Sequence, residues 1–412
     1  MAAQTFRTTV LPAACVYLGA LAIGLTMVSF PSSSAVLKQA HGLTDAEYGA
    51  IFFPQLVAAI LGALVGGAVT DRLSLGALFR IALAAFALAE ALLAGSQFMS
   101  RGWALTAVMA GTGLFGLGFG LGGGPSNALA GMLFPRRAST AITAVHMTAG
   151  AGLMAGPAFF AFMAQNGHWI AGPLSVLGLS LAALAASLLA AFPNESERRA
   201  AAGGGKGPFG STFFWLTAVV AAIYSVSEGT FSNWIILFLQ EERSLSAYQG
   251  ALALTCFWAA LTLGRLAVSF LVIRVPATVI LLVLPVAIAI AFWLLPSVST
   301  ASEARLAFGF AGLACSGFFP MLVVYASRPF PNFVSIIVSI QTAGAMIGVG
   351  LGSYLVGVLR SHYAISDLYH FAVAYPIATL GLLLLSLKVR PSDDRRGAGV
   401  APAPIGTNKS VA

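Results

Sequence analysis

Two carboxyl side chains, those of Glu90 and Glu228, stand inside long apolar runs of this 412-residue sequence. An ionised group is expensive at bilayer depth, so an acid inside a membrane-length run is a candidate functional residue. On a helix, Glu228 shares one polar face with Tyr224, Ser225 and Ser232, whereas Glu90 has no polar residue three or four positions away. The pattern favours Glu228 as a group that binds a proton, or a hydroxyl or ammonium group of a solute. A protonated acid bonded to a neighbouring helix is the alternative.

Further polar and aromatic residues accompany these acids. His146 has a side chain that titrates near neutral pH in its ordinary environment, and Gln341 is a neutral donor suited to hydroxylated solutes. Trp234 offers a surface for stacking or gating six residues after Glu228, and Gly229 permits a local break of the helix. Interhelical hydrogen bonding explains the polar members equally well.

The composition excludes a water-soluble protein of this size. Apolar residue types make up 58% of the chain and charged residues only 8%, whereas soluble domains are about a quarter charged. The apolar runs are continuous and about 20 residues long, as membrane helices require, and they lack the alternation of a transmembrane β-barrel. We predict spans near residues 10–31, 47–70, 76–98, 103–126, 138–163, 168–192, 213–239, 247–272, 276–297, 304–327, 332–358 and 366–388.

Two halves are indicated by a polar, glycine-rich linker and by an internal repeat. The motif Thr-Ala-Gly-Ala occurs at residues 148–151 and again at 342–345, an offset of 194. We predict an N-terminal six-helix bundle (1–192), a cytoplasmic linker (193–211), a C-terminal six-helix bundle (212–390) and a disordered cytoplasmic tail (391–412).

Lysine and arginine fall mainly on one side of the predicted membrane. With the N-terminus inside, 16 of the 21 lie in inner segments and 5 in outer ones, as the positive-inside rule requires. We therefore predict a multi-pass protein of the bacterial inner (plasma) membrane with both termini cytoplasmic. The same asymmetry explains the net charge of +8 without a nucleic-acid partner.

Other chemistries lack their motifs. The sequence has no G-x-x-x-x-G-K-[ST] loop for ATP, and Cys15, Cys256 and Cys315 have no metal-ligand spacing. We expect buried thiols, no cofactor and no metal, and a chain that is not an enzyme.

Residues 67–72 (GAVTDR) close the second predicted helix. They resemble the G-x-x-x-D-R loop signature of the major facilitator superfamily. The resemblance implies a charge latch on one state of the protein, and an ordinary basic loop is the alternative. The predicted latch or gating residues are Asp71, Arg72, Arg136 and Arg265.

A longer stretch, residues 113–160, resembles helices four and five of the fucose–galactose–glucose–proton symporter branch of that superfamily. The shared features of this stretch are Asn127, Leu133-Phe134-Pro135, His146, Gly150-Ala151-Gly152 and Gly156-Pro157. The seventh predicted helix adds Tyr224, Glu228 and Trp234, and the tenth and eleventh add Gly317-Phe318-Phe319-Pro320 and Gly344. The resemblance implies an all-α membrane protein with twelve transmembrane helices in two pseudo-symmetric six-helix bundles, the major facilitator fold. The predicted substrate- or proton-binding residues are Glu228, Tyr224, Trp234, Asn233, His146, Asn127 and Gln341, and the predicted hinges are Gly156, Pro157 and Gly229.

Two positions depart from this branch. Its fucose symporters carry acids in the first and fourth helices that couple protons to sugar, and Pro31 and Gly123 stand at those positions here. Neither side chain binds a proton, so coupling of the fucose type is not expected.

The resulting expectation is a monomeric secondary transporter that moves a small polar organic solute, sugar-like by resemblance, by alternating access with proton coupling through Glu228. Proton-driven efflux of amphipathic compounds is the alternative within transport. A membrane-embedded enzyme or sensor is the alternative from another class.

Overall fold

Twelve helices long and apolar enough to cross a membrane make up the computed structural model, which describes residues 9–69, 72–193, 207–330 and 333–391. We number them α1 to α12: Leu11–Ser32, Asp45–Gly66, Leu75–Ser96, Arg101–Leu133, Pro135–Gln165, Ala171–Leu189, Thr212–Arg243, Ala247–Leu271, Ala277–Ser297, Ala301–Ser327, Ile336–Leu359 and Ile365–Val389. A short helix, Ser34–His41, follows α1. The twelve predicted spans are confirmed, with ends that differ by a few residues.

The ends and breaks of these helices follow from local sequence. Thr44 begins α2 with a capping box, in which its hydroxyl accepts from the Glu47 backbone N–H and the Glu47 carboxylate accepts from the Thr44 N–H. Inside α10, the helix is interrupted at Gly317, three residues before Pro320, because proline lacks the N–H that a continuous helix needs. The prediction ended α4 at residue 126, but the helix continues to Leu133.

Glycine lets the helices of each half approach closely. A Cβ on Gly24 of α1 would lie 2.0 Å from the backbone oxygen of Ala149 in α5, and a Cβ on Gly348 of α11 would lie 2.0 Å from that of Ala222 in α7. The first and fifth helices of each half therefore pack in the same way. The second and fourth do so as well, at Gly116 against Gln55 and at Gly312 against Phe257. This correspondence is the pseudo-symmetry that the repeat predicted.

The two ends of the helices differ in charge. One end, which we call the basic side, carries Arg72, Arg136, Arg137, Arg274, Arg328, Lys388 and Arg390. The opposite end, the acidic side, carries Asp45, Glu47, Glu241, Glu242, Glu303 and Asp367. Because the helices alternate in direction, the start of α1 and the end of α12 both lie on the basic side.

The boundaries of the predicted linker and tail lie partly outside the described residues. Helix α6 ends at Leu189 and α7 begins at Thr212. Of the predicted linker, residues 194–206 are outside the described part, and Pro208–Gly210 forms one 3-10 turn before α7. The predicted tail is described only at Pro391. The domain boundaries thus stay predictions.

Candidate functional site

Helix α7 places Tyr224 and Glu228 one turn apart in the middle of the membrane-spanning region. Glu228 is 9% exposed and Tyr224 is fully buried. The Tyr224 hydroxyl lies 3.0 Å from Glu228 Oε2 and 2.8 Å from the backbone oxygen of Cys315 in α10. The Tyr224 ring stacks on Phe318, with centroids 4.3 Å apart, so packing fixes the direction of the hydroxyl. The predicted pairing of these two residues on one face is therefore present.

Arg265 of α8 brings a positive charge to this carboxyl. It lies within electrostatic range of Glu228, Tyr224 and Cys315. Arg265 and Glu228 do not form a contact ion pair. The ion pairs within 4 Å among the described residues all involve other side chains. Its Nε is buried and has no hydrogen-bond partner. Arg265 was predicted as a latch or gating residue; it stands six residues inside the end of α8, and its latch role stays a prediction.

His146 adds a residue from the other bundle. It belongs to α5, is exposed, and lies within electrostatic range of Arg265. Helices α5 and α8 touch nearby, since a Cβ on Gly150 would lie 2.5 Å from Thr262 Cγ2, and the Ala158 N–H donates to Thr255 Oγ1 at 3.2 Å. The site therefore spans both bundles, and the exposed His146 side chain lies close to the surface where α5 and α8 meet.

Asn127 and Gln341 hold polar atoms without partners. Asn127 is partly exposed and its buried Oδ1 has no hydrogen-bond partner. A Cβ on Gly123 or Gly124, one turn earlier in α4, would meet nothing within 4 Å, so this face of α4 borders open space. Gln341 is buried in α11 with both amide atoms unpartnered. Neither residue hydrogen-bonds to Glu228.

Asn233 and Trp234 form a different contact, nearer the acidic side, where the two bundles meet. The Tyr48 hydroxyl of α2 donates to the Asn233 backbone oxygen at 2.9 Å, and its ring packs edge-on to Trp234, with centroids 5.2 Å apart. Asn233 Nδ2 donates to Ser353 Oγ at 2.6 Å, and Trp234 Nε1 donates to the Ser353 backbone oxygen at 3.2 Å. Both predicted binding residues are buried here, so in this conformation they close the interface.

A cluster of five charges lies on the acidic side and joins the two bundles. Lys38 Nζ lies 2.5 Å from Asp45 in its own half and 2.6 Å from Glu241 at the end of α7. Arg360 after α11 lies 3.7 Å from Asp45, 3.3 Å from Glu241 and 3.2 Å from Glu242. Glu242 also accepts from the Ser366 N–H at 3.0 Å at the start of α12. We call these residues the five-charge cluster; sequence reasoning missed it.

The bundle contacts identify which end of the cleft is shut. A Cβ on Gly49 of α2 would lie 2.9 Å from Gly357 Cα of α11, and one on Gly350 would lie 2.7 Å from Leu56 Cβ. These contacts and the five-charge cluster lie in the acidic half of the helices. The two bundles are therefore in contact on the acidic side, and the exposure of His146 and Gly124 in the basic halves of α5 and α4 indicates a cleft that opens toward the basic side.

The sequence matches the Major Facilitator Superfamily over residues 15–333. The chain belongs to this superfamily. Among solved structures, a D-xylose–proton symporter is 14% identical with a TM-score of 0.76, covering 93% of this chain and 98% of that one. The nucleoside transporter NupG is 15% identical with a TM-score of 0.68, covering 92% and 98%. The inward-open xylose transporter XylE from E. coli is 14% identical with a TM-score of 0.71, covering 93% and 97%. A search of curated proteins found no match.

The latch of this major facilitator lies partly outside the described residues. Asp71 is among the undescribed residues, and Arg72 and Arg136 are exposed on the basic side. The latch therefore stays a prediction. So do the hinges, because α5 and α7 run without interruption through Gly156, Pro157 and Gly229 in this conformation. A Cβ on Gly229 would lie 2.4 Å from the Val349 backbone oxygen, so this glycine serves close packing with α11.

Glu90 of this facilitator stands apart from the cleft. It is 0% exposed in α3, and neither carboxyl oxygen meets hydrogen-bond geometry with a described residue. Thr26 and Ser29 of α1 are its nearest polar neighbours. Across the described ranges, no group of three or more His, Cys, Asp or Glu side chains suits a metal ion.

Proposed function

We propose that this major facilitator carries a small polar organic solute across the inner membrane by alternating access, with a proton bound and released at Glu228. The observation that carries the proposal is one buried carboxyl, bonded by Tyr224 and within electrostatic range of Arg265, which in turn lies within range of His146 in the other bundle. We assign the basic side to the cytoplasm on the positive-inside rule.

The hydrogen bonds at Tyr224 support protonation of Glu228 in this conformation. A phenol has one hydrogen to donate, yet the Tyr224 oxygen lies within hydrogen-bond distance of two acceptors, Glu228 Oε2 and the Cys315 carbonyl oxygen. If Glu228 carries a proton, it donates to the phenol oxygen while the phenol donates to the carbonyl. Both contacts are then full hydrogen bonds, whereas an ionised Glu228 would compete with the carbonyl for one hydrogen. Protonated Glu228 thus fits the state open to the basic side.

The contacts that close the acidic side are of a kind that can break and re-form during a transport cycle. The five-charge cluster and the Tyr48 hydroxyl contact are polar, and water can solvate their members when the bundles part. Solute release to the basic side, followed by proton release from Glu228, would let the bundles close there and open on the acidic side. This is alternating access around one site at the interface of two repeats.

The solute class rests on the resemblance to the sugar–proton symporter branch. A D-xylose–proton symporter and a nucleoside transporter share the fold, and both names denote polar, hydroxylated or heterocyclic solutes. The unpartnered polar atoms of Asn127 and Gln341 supply neutral hydrogen-bonding groups for such a solute. The chain lacks the acids through which fucose symporters couple protons, and in this proposal Glu228 binds and releases the coupled proton instead.

Uptake by the purified chain in proteoliposomes tests the proposal. With the outside one pH unit more acidic, one coupled proton per solute supports about tenfold accumulation, and a protonophore should abolish it. A panel of sugars, nucleosides and sugar acids identifies the solute. Solute uptake that does not depend on the pH gradient would mean that the chain transports by facilitated diffusion without proton coupling. If no solute of any class moves, transport of a small polar solute is contradicted.

A further inference from the structure

We propose that the solute carries a negative charge, and specifically a carboxylate, which Arg265 binds in the cleft. This inference rests on the proposed function and narrows its substrate class from a small polar solute to a small organic anion. The observation behind it is a guanidinium inside the membrane-spanning region that forms no contact ion pair with a described residue.

Arg265 combines depth with an unpartnered donor: Arg80 stands almost as deep in α3, but its guanidinium donates to the Ser187 backbone oxygen. The positive-inside rule accounts for arginines in the segments between helices, but Arg265 stands within α8, six residues from its end. A charge at that depth is costly, and side chains of this kind mark solute or ion pathways. Its buried Nε lacks a hydrogen-bond partner, so at least one N–H group of the guanidinium is free to bind a ligand.

The charge of Arg265 is not balanced by the residues around it. Glu228 is within electrostatic range but not at ion-pair distance, and the hydrogen bonds at Tyr224 favour its protonated form in this conformation. His146 adds no negative charge. Within the described ranges, the remaining acids are Glu90, packed against α1, and those of the acidic side. The cleft therefore has a positive potential when Glu228 holds its proton.

A carboxylate is the anion that matches this arrangement. The guanidinium presents parallel N–H donors that fit both oxygens of a carboxylate. Binding of the anion would supply the missing counter-ion, and Glu228 would remain protonated beside it. The species that crosses is then one anion with one proton, which moves no net charge. A neutral sugar carried with one proton would instead move one positive charge.

That difference defines the experiment. Proteoliposomes of the full chain with a pH dye inside are exposed to gluconate or to glucose, two probes with the same carbon skeleton, at zero and at imposed membrane potential. We expect gluconate to acidify the lumen at a rate that the potential does not change, and glucose to have no effect. The variant Arg265→Gln should raise the half-saturating gluconate concentration at least tenfold, and Arg265→Lys should retain part of the affinity.

Arg274→Gln is the matched control, because Arg274 is exposed on the basic side just after α8. It should behave like wild type. Potential-dependent proton movement with glucose, unchanged in Arg265→Gln, would overturn the anion inference and leave the transport proposal intact. If neither probe nor any other sugar, nucleoside or sugar acid moves in wild type, the proposed function fails as well.

Discussion

Replacing Glu228 by glutamine should abolish uphill accumulation of solute and preserve solute exchange. Glutamine has the shape of the protonated carboxyl and still offers an N–H to the Tyr224 oxygen, which lies 3.0 Å from the native side chain. It cannot release a proton, so the bundles remain able to exchange solute but the pH gradient no longer drives it. We expect the accumulation ratio under a one-unit gradient to fall from about ten to about one, measured as labelled solute in proteoliposomes.

Glu90→Gln is the control for this variant, since it removes the other carboxyl buried within a span. Glu90 packs against Thr26 and Ser29 of α1, away from the cleft, and we expect it to leave the accumulation ratio unchanged. Full accumulation by Glu228→Gln would show that the proton binds elsewhere. If only Glu90→Gln lost accumulation, the proton-coupling residue would be Glu90 in the N-terminal bundle.

Replacing Arg360 by alanine opens the acidic side. Arg360 lies within 4 Å of Asp45 across the bundle interface and of Glu241 and Glu242 in its own bundle, and without it Lys38 alone offsets the repulsion between the acids of the two bundles. Exposed ion pairs contribute at most about 1 kcal/mol, while breaking buried ones costs about 3–5 kcal/mol. The side chains of this cluster are 10–29% exposed, so an intermediate cost of about 1–3 kcal/mol is expected. That shifts the equilibrium between the two states by roughly 5- to 150-fold.

Thiol labelling measures this shift. Ser353 is buried where the bundles meet on the acidic side, so a cysteine there should react slowly with a maleimide in a Cys256→Ala background. Adding Arg360→Ala should accelerate the maleimide reaction by roughly 5- to 150-fold, the expected shift of the equilibrium between the two states. Arg101→Ala is the control, because Arg101 pairs with Glu47 inside one bundle. Equal labelling rates for Arg360→Ala and its parent would mean that the cluster does not hold this side shut.

The sequence was sufficient for the helices and their pseudo-symmetry, because both depend on local composition. Long apolar runs determine the spans, and the repeat at an offset of 194 indicated two halves, whose first and fifth helices pack at Gly24 against Ala149 and at Gly348 against Ala222. The end of α4 was missed because Ser126 and Asn127 looked like the start of a loop. In the structure, the Ser126 hydroxyl donates to the Gly122 backbone oxygen at 2.7 Å, so the helix continues through a residue that appears polar in the sequence.

The candidate site was predictable only in part. Helical spacing placed Tyr224 beside Glu228, since residues four apart share a face. Trp234, which the family resemblance added, and Asn233 were predicted to bind with them, but which helix covers each face depends on tertiary packing, and α2 covers these two.

The five-charge cluster could not be read from spacing, because its members come from four separate stretches of the chain. The sequence did contain a weak signal of the cluster. Lys38 and Arg360 are two of the five cations in the predicted outer segments, which should hold few, and Asp45 and Asp367 each lie seven residues from one of them. Cations that run against the positive-inside rule are worth testing as ion-pair partners across the bundle interface.

The most direct test of alternating access is to tie the acidic side shut. Lys38 and Glu241 belong to different bundles, and their charged atoms lie 2.6 Å apart. In a chain with both replaced by cysteine, a short thiol-specific cross-linker should reduce solute transport in proteoliposomes to background, and a reductant should restore it, while each single-cysteine chain should be unaffected. If the cross-linked chain transports at the rate of the unlinked one, the acidic side does not open during transport, and the mechanism proposed here is wrong.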